Sequence, residues 1–196
     1  MRRIWLFSAI VALLLSVGLI AAACGDDDDD DATTEEVPTL TLTGGGTTLT
    51  PDAGAVAILT DNGVELAPVD PATPDDAGGI TFPITGGEVE AESLAGTIDH
   101  SGGIVFSAGG TSLEATDFVI DTAAGTLTAT AGEDQVVLLD VDLSALQRTD
   151  TDEGIELTGI TTTLAADGAD ALNATFDVDI FEAGIPIGVV EILATA

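Results

Sequence analysis

Beyond residue 38 the chain is written in short runs in which apolar and polar positions alternate. Thr39-Leu-Thr-Leu-Thr43, Gly79-Ile-Thr-Phe-Pro-Ile-Thr85, Gly103-Ile-Val-Phe-Ser107 and Gly125-Thr-Leu-Thr-Ala-Thr130 are of this kind. So are Gln135 to Leu143, Gly154-Ile-Glu-Leu-Thr158 and Ile185 to Leu193. A period of two sends successive side chains to opposite faces, and β-branched residues suit a half-buried pleated surface. Gly pairs and Asp-Gly steps close the runs. About ten such strands, with a turn signal about every 8–14 residues, predict a mainly β fold, an antiparallel sandwich or barrel.

Two stretches break the alternation and predict short helices. In Thr47 to Leu59, Thr50 is placed to cap a helix with Pro51 at its first position, and Asn62-Gly63 stops it, Gly63 serving as the left-handed cap. A strand, Val64 to Ala67, follows. Thr162 to Leu172 repeats the order and leads through Asn173 to Phe176 toward the strand around Pro186 to Val190. The two stretches read either as a weak internal duplication (strand, helix, strand) or as two unrelated Ala-rich turns. Pro68 to Gly79, with three prolines, reads as an exposed connector.

The first 23 residues have another texture. Arg2 and Arg3 precede an almost wholly apolar run, Ile4 to Ile20, and Ala21-Ala22-Ala23 leads into Cys24. This stretch resembles the lipobox of bacterial lipoproteins, which implies lipidation of Cys24 and anchoring to the outer face of the cell membrane. It departs from that pattern at Ala21, where such signals usually carry Leu, so ordinary signal-peptide cleavage and a retained anchor stay open. Residues 24–38 then form a like-charged stretch, with Asp26 to Asp31 unbroken, that cannot bury apolar surface and reads as a disordered spacer. Residues 39–196 read as a single β-rich domain.

Composition narrows the chemistry. The net charge is −32, with three Lys and Arg together against 35 acidic residues, and removal of Arg2 and Arg3 would leave Arg148 as the sole basic side chain. Nothing could then neutralise phosphate, which excludes backbone-driven nucleic-acid binding and basic adhesion to anionic lipid. Two readings of the acidity stand: solubility through mutual repulsion, or a sink for cations such as Ca²⁺. Cys24 is the single cysteine, so with it lipidated no disulfide, thiolate metal site or thiol nucleophile remains. With no lysine or tyrosine either, the sequence predicts a non-enzyme; the further alternative is a hydrolase with His100 as base, for which Ser101, Ser107 and Ser112 lack a nucleophile-elbow pattern.

Few residues are left as candidates. His100, the sole imidazole, falls on the face of Gly96 and Ile98. It reads as a ligand for haem or a metal, or as a satisfied, partly buried histidine at a strand end. Asp140-Val-Asp142 and Asp177-Val-Asp179 each place two carboxylates on one face if the segments are strands. On neighbouring strands they would offer oxygen ligands to Ca²⁺; otherwise they are solvent faces. Asp150 to Gly154 lacks the register of a calcium loop. Sugar-processing carboxylates would want stacking platforms, and aromatic residues are 4% of the chain.

The runs Phe82 to Gly87, Gly96 to Gly103, Asp117 to Asp121 and Ala169 to Asn173 resemble the secreted β-domains of actinobacteria, and specifically the HtaA-type domains implicated in hemin uptake. That resemblance implies a surface β-domain over most of Thr39 to Ala196 and a hemin ligand held by tyrosine and histidine. Here there is no tyrosine, which leaves His100 as the one axial candidate. The expectation is a lipid-anchored, extracytoplasmic domain with a binding or structural role. Its partners would be the membrane, through its lipid, and an extracellular ligand or envelope component, with haem or Ca²⁺ as the alternative.

Overall fold

The computed structural model describes residues 37–196, in which thirteen strands and two helices follow one another. They are β1 (Thr39–Thr41), β2 (Gly44–Pro51), α1 (Ala53–Asp61), β3 (Glu65–Val69), β4 (Thr73–Pro74), β5 (Ile80–Glu90), β6 (Gly96–His100) and β7 (Gly103–Ala108). The rest are β8 (Thr111–Asp121), β9 (Thr126–Ala131), β10 (Asp134–Asp142), β11 (Gln147–Thr151), β12 (Gly154–Leu164), α2 (Ala166–Phe176) and β13 (Pro186–Thr195). The mainly β expectation holds, and of its two forms the molecule takes the barrel.

Closure is visible in the pairing. Taken in the order β5, β2, β13, β12, β10, β9, β8, β6, each strand pairs antiparallel with the next, and β6 returns to β5. Such a ring of eight leaves no free edge to satisfy. The remaining strands decorate it: β1 and β4 lie on β5, β11 on β12, and β3 pairs β7, which pairs β8. One edge of β8 serves two partners, Thr111 to Thr116 taking β7 and Val119 to Asp121 taking β6. The change of partner falls at Asp117, whose φ of 53° lies in the left-handed region that Asp tolerates better than most residues.

Alternation fills the interior. Along β13, Val190, Ile192 and Ala194 are buried while Val189, Glu191 and Leu193 face out. Along β12 the inward set changes parity, from Ile155 and Leu157 to Ile160, Thr162 and Leu164. A bulge between Leu157 and Ile160 absorbs the extra residue. Gly159 permits it: at φ +76° a Cβ there would lie 2.3 Å from the Ala145 carbonyl oxygen. Among the described residues the core is one cluster, and it lies within the compact unit Glu36–Ala196.

Both helices form, with one correction. Thr50 and Pro51 still pair with β13, opposite Val189 and Gly188, so the chain remains strand where the cap was expected. Asp52 caps α1 instead, its carboxylate accepting from the Gly54 N–H at 2.7 Å. Gly63 does adopt the left-handed conformation after the helix. α2 packs on β10, where Gly168 sits so close to Leu138 that a Cβ would meet its carbonyl at 2.5 Å. The strand–helix–strand order recurs, but β12 and β13 pair with each other whereas β2 and β3 lie in different parts of the sheet. Neither helix is long and apolar enough to cross a membrane.

Candidate functional site

His100 ends β6 opposite Ile84 of β5 and points into the barrel, where it is 6% exposed. Its Nδ1 lies 3.1 Å from the Phe118 carbonyl, which can only accept, so Nδ1 carries the proton. Nε2, 2.6 Å from the Thr47 hydroxyl, is then the acceptor of that hydroxyl's hydrogen in the neutral ring. Burial lowers the His100 pKa, against smaller opposing pulls from the Phe118 carbonyl and the Asp99 carboxylate. Beside the ring Phe82 and Phe118 meet edge to face, centroids 5.1 Å apart. The cavity here is about 40 Å³, space for a water or two and too small for an organic ligand. His100 is a satisfied core histidine with no ring nitrogen free, and the reading of it as a haem or metal ligand does not fit this geometry.

The aspartate pairs fare differently from each other. Asp140 and Asp142 are exposed on β10 with Val141 buried between them, as the alternation requires. Asp142 accepts from the Ser144 backbone N–H at 2.8 Å, the main cause of its lowered pKa. Asp177, however, ends α2 in the left-handed conformation, and Asp179 follows outside any strand. The second carboxylate face therefore does not exist, because helix α2 runs on to Phe176. Among the described residues no group of three or more His, Cys, Asp or Glu is placed to hold a metal ion. Cys24 lies outside the described residues.

A larger space opens elsewhere, and no candidate among the described residues lines it. A groove of about 740 Å³ runs between α1, the β3–β7 ladder and one end of the barrel. That volume is ordinary for a small-molecule site. From α1 it takes Ala55, Val56, Ile58 and Leu59; from β3 and β7, Leu66, Ala67 and Phe106. Leu49, Ile80, Leu138 and Leu139 belong to its barrel side, and Phe181 and Ile185 to the segment after α2. Val56 and Leu66 are 46% and 36% exposed, large apolar side chains left in contact with solvent at this groove.

The segment after α2 is pinned by Asn173. Its Oδ1 accepts from the backbone N–H groups of Ile180 and Phe181, both at 3.1 Å, and its Nδ2 donates to the Phe181 carbonyl at 2.8 Å. That holds Phe181 buried against the core and in the groove wall. The groove's sequence signal is faint but present. α1 reads AGAVAILTD, apolar on every side, so packing against one neighbour leaves an apolar face over.

Comparison with known proteins places this architecture. The family model HtaA, described as Htaa, matches residues 60–180. Among solved structures, the C-terminal domain of HtaA from Corynebacterium glutamicum is similar with a TM-score of 0.59 and 16% identity, over 79% of this chain and 98% of that one. The heme binding protein HtaB from the same organism is similar with a TM-score of 0.50 and 13% identity, over 80% and 95%. The N-terminal domain of that HtaA also has a TM-score of 0.50, at 18% identity over 79% and 99%. No curated protein matches the sequence.

Proposed function

The chain belongs to the HtaA family, and from that premise we propose that it is a non-catalytic binding domain which takes an apolar small molecule into the groove beside α1. The observation that carries this reading is the groove itself: about 740 Å³, walled by aliphatic and phenylalanine side chains, with Val56 and Leu66 exposed at it. Open apolar surface of this kind costs free energy unless something covers it. Lipidation of Cys24 would tether the domain outside the cytoplasm, and Asp26 to Asp31 would keep it off the membrane surface.

Haem is the ligand that the related HtaB suggests, and the groove tests it. Protein ligands for haem iron are His, Cys, Met or Tyr. Among the described residues none of these lines the groove, and His100 is buried in the barrel with both nitrogens bonded. The described residues of the groove do not fit iron coordination.

The test uses the domain Glu36–Ala196 and the apolar fluorophore N-phenyl-1-naphthylamine. Saturable fluorescence enhancement is expected, together with its loss in Val56→Trp and Leu66→Trp, which enlarge the two side chains exposed at the groove. Enhancement that survives both substitutions would sink the reading. Anchoring has its own check: acyl-probe labelling of the full chain, abolished by Cys24→Ser.

A further inference from the structure

The groove and the cavity beside His100 share a wall. Leu49 of β2, Ile104 of β7, and Leu138 and Leu139 of β10 line both, so the partition between the two spaces is a single layer of residues. Leu138 owes its place there to a bulge. The register of β10 against β9 shifts between Val137 and Leu139, and Leu138 has a partner in neither neighbouring ladder. In an even strand one of two successive residues faces out, whereas Leu138 and Leu139 are both buried. The Leu138 carbonyl accepts instead from the Ala165 N–H, at 3.1 Å. Bulges at barrel rims re-aim a side chain in this way beside binding and active sites.

Behind that partition the cavity suits carbon better than water. Among the described residues three polar side chains reach its wall, and each donates its hydrogen elsewhere: Thr47 to His100 Nε2, His100 Nδ1 to the Phe118 carbonyl, Thr162 to the Gly188 carbonyl. None is left to donate to a water, which needs about two to four polar partners. The volume, enough for a water or two, also fits the last carbon or two of an alkyl chain. An eight-stranded barrel has room for little more. We propose, resting on the function proposed above, that this cavity is the inner end of the binding site. The groove holds the body of an elongated ligand, and the tip of its unbranched alkyl chain passes Leu138 into the barrel to lie against His100. The ligand class is a long-chain lipid or alcohol, not a compact polycycle. Leu138 sets the depth, since moving its side chain breaks no strand pairing.

The experiment reads His100 directly. As the chain's sole histidine it gives a single imidazole Hε1 signal in NMR spectra of untagged domain Glu36–Ala196, which contains the whole described core. Saturating dodecanol should shift that signal. Cyclododecanol, with as many carbons but no chain end, and N-phenyl-1-naphthylamine should bind and leave it in place. In displacing the dye, dodecanol should weaken about ten-fold in Leu138→Phe, the loss of about two buried methylenes, and cyclododecanol much less. Should Leu138→Phe not fold, the wild-type signal decides alone. A His100 signal unmoved by dodecanol, or moved equally by cyclododecanol, overturns the proposal while leaving the groove a binding site. So does a Leu138→Phe protein that binds the linear and cyclic alcohols in the wild-type ratio. Hemin that displaces the dye more strongly than dodecanol does would make the occupant a polycycle and overturn it as well. If neither dye nor alcohol binds, the function proposed above fails first.

Discussion

The Thr47 hydroxyl and Nε2 of His100 stand 2.6 Å apart inside the barrel, on the two strands that flank β5. With the Phe118 carbonyl on the opposite nitrogen, the ring has one tautomer and one partner at each end. A histidine so held is a structural element of the core, and its chemistry shows in stability.

Burial puts the folded pKa of His100 below its unfolded value near 6.5. The unfolded chain then binds a proton that the folded chain refuses, so stability is fully present above pH 6.5 and falls as pH drops below it toward the folded pKa. Urea midpoints at pH 7.5 and 5.5 should show a lower value at the acid pH, and His100→Gln should flatten that difference. Equal slopes in the two proteins would refute the assignment. Carboxylate protonation, which relieves repulsion, lies further toward acid.

Thr47→Val keeps the side-chain shape but leaves Nε2 of His100 buried with no donor. An orphaned buried acceptor costs about 1–3 kcal/mol, which in a domain of this size lowers Tm by roughly 2–12 °C. Thr48→Val, one residue on and facing the other way, breaks only a part-buried hydroxyl contact with Thr81 and should cost less. Differential scanning calorimetry of the pair decides it.

Asn173→Ala removes three hydrogen bonds that pin Ile180 and Phe181. Loss of about 1–3 kcal/mol is expected. Because Phe181 belongs to the groove wall, dye affinity should fall as well. Asn173→Asp keeps the accepting oxygens and should recover part of both effects. A variant that melts lower yet binds dye unchanged would separate Asn173 from the groove.

Gly159→Ala should be among the costlier single-methyl changes in the chain. Its Cβ would press on the Ala145 carbonyl at a φ that L-residues rarely adopt. Gly110→Ala shares a positive φ, 89°, but nothing lies within 4 Å of its Cβ. The difference between their melting temperatures isolates the close approach from the backbone strain, and the sign expected is a lower Tm for Gly159→Ala.

Self-repulsion at a net charge of −32 should make Tm rise with sodium chloride, by screening alone. Calcium at equal ionic strength should add no saturable, site-like increment, since the Asp140–Asp142 and Asp177–Asp179 carboxylates do not converge on a common site. A saturating calcium effect removed by Asp140→Asn would reverse that conclusion.

Much of the fold was legible because a period of two is a local property. Val190, Ile192 and Ala194, or Ile98 and His100, announce an inward face without knowledge of any partner strand. The α1 start was misplaced by two residues because Thr50 and Pro51 suit a cap equally well, and the ladder to β13 claimed them first. Asp177-Val-Asp179 looked like a strand face, and α2 extended past the point where its apolar pattern faded.

The sequence by itself determined the chemistry that is missing and the sign of the charge: one histidine, one cysteine, no tyrosine, no lysine. It also determined a mainly β fold, since alternation in short runs admits little else. Tertiary structure decided whether that sheet would close. It decided that His100 would be sealed between Thr47 and Phe118, and that α1, β3 and β7 would enclose a groove. Those outcomes depend on which strands meet across long separations, as β5 does with both β2 and β6. Pairing of that kind is set by the joint burial of residues far apart in the chain, and no single window of sequence contains it.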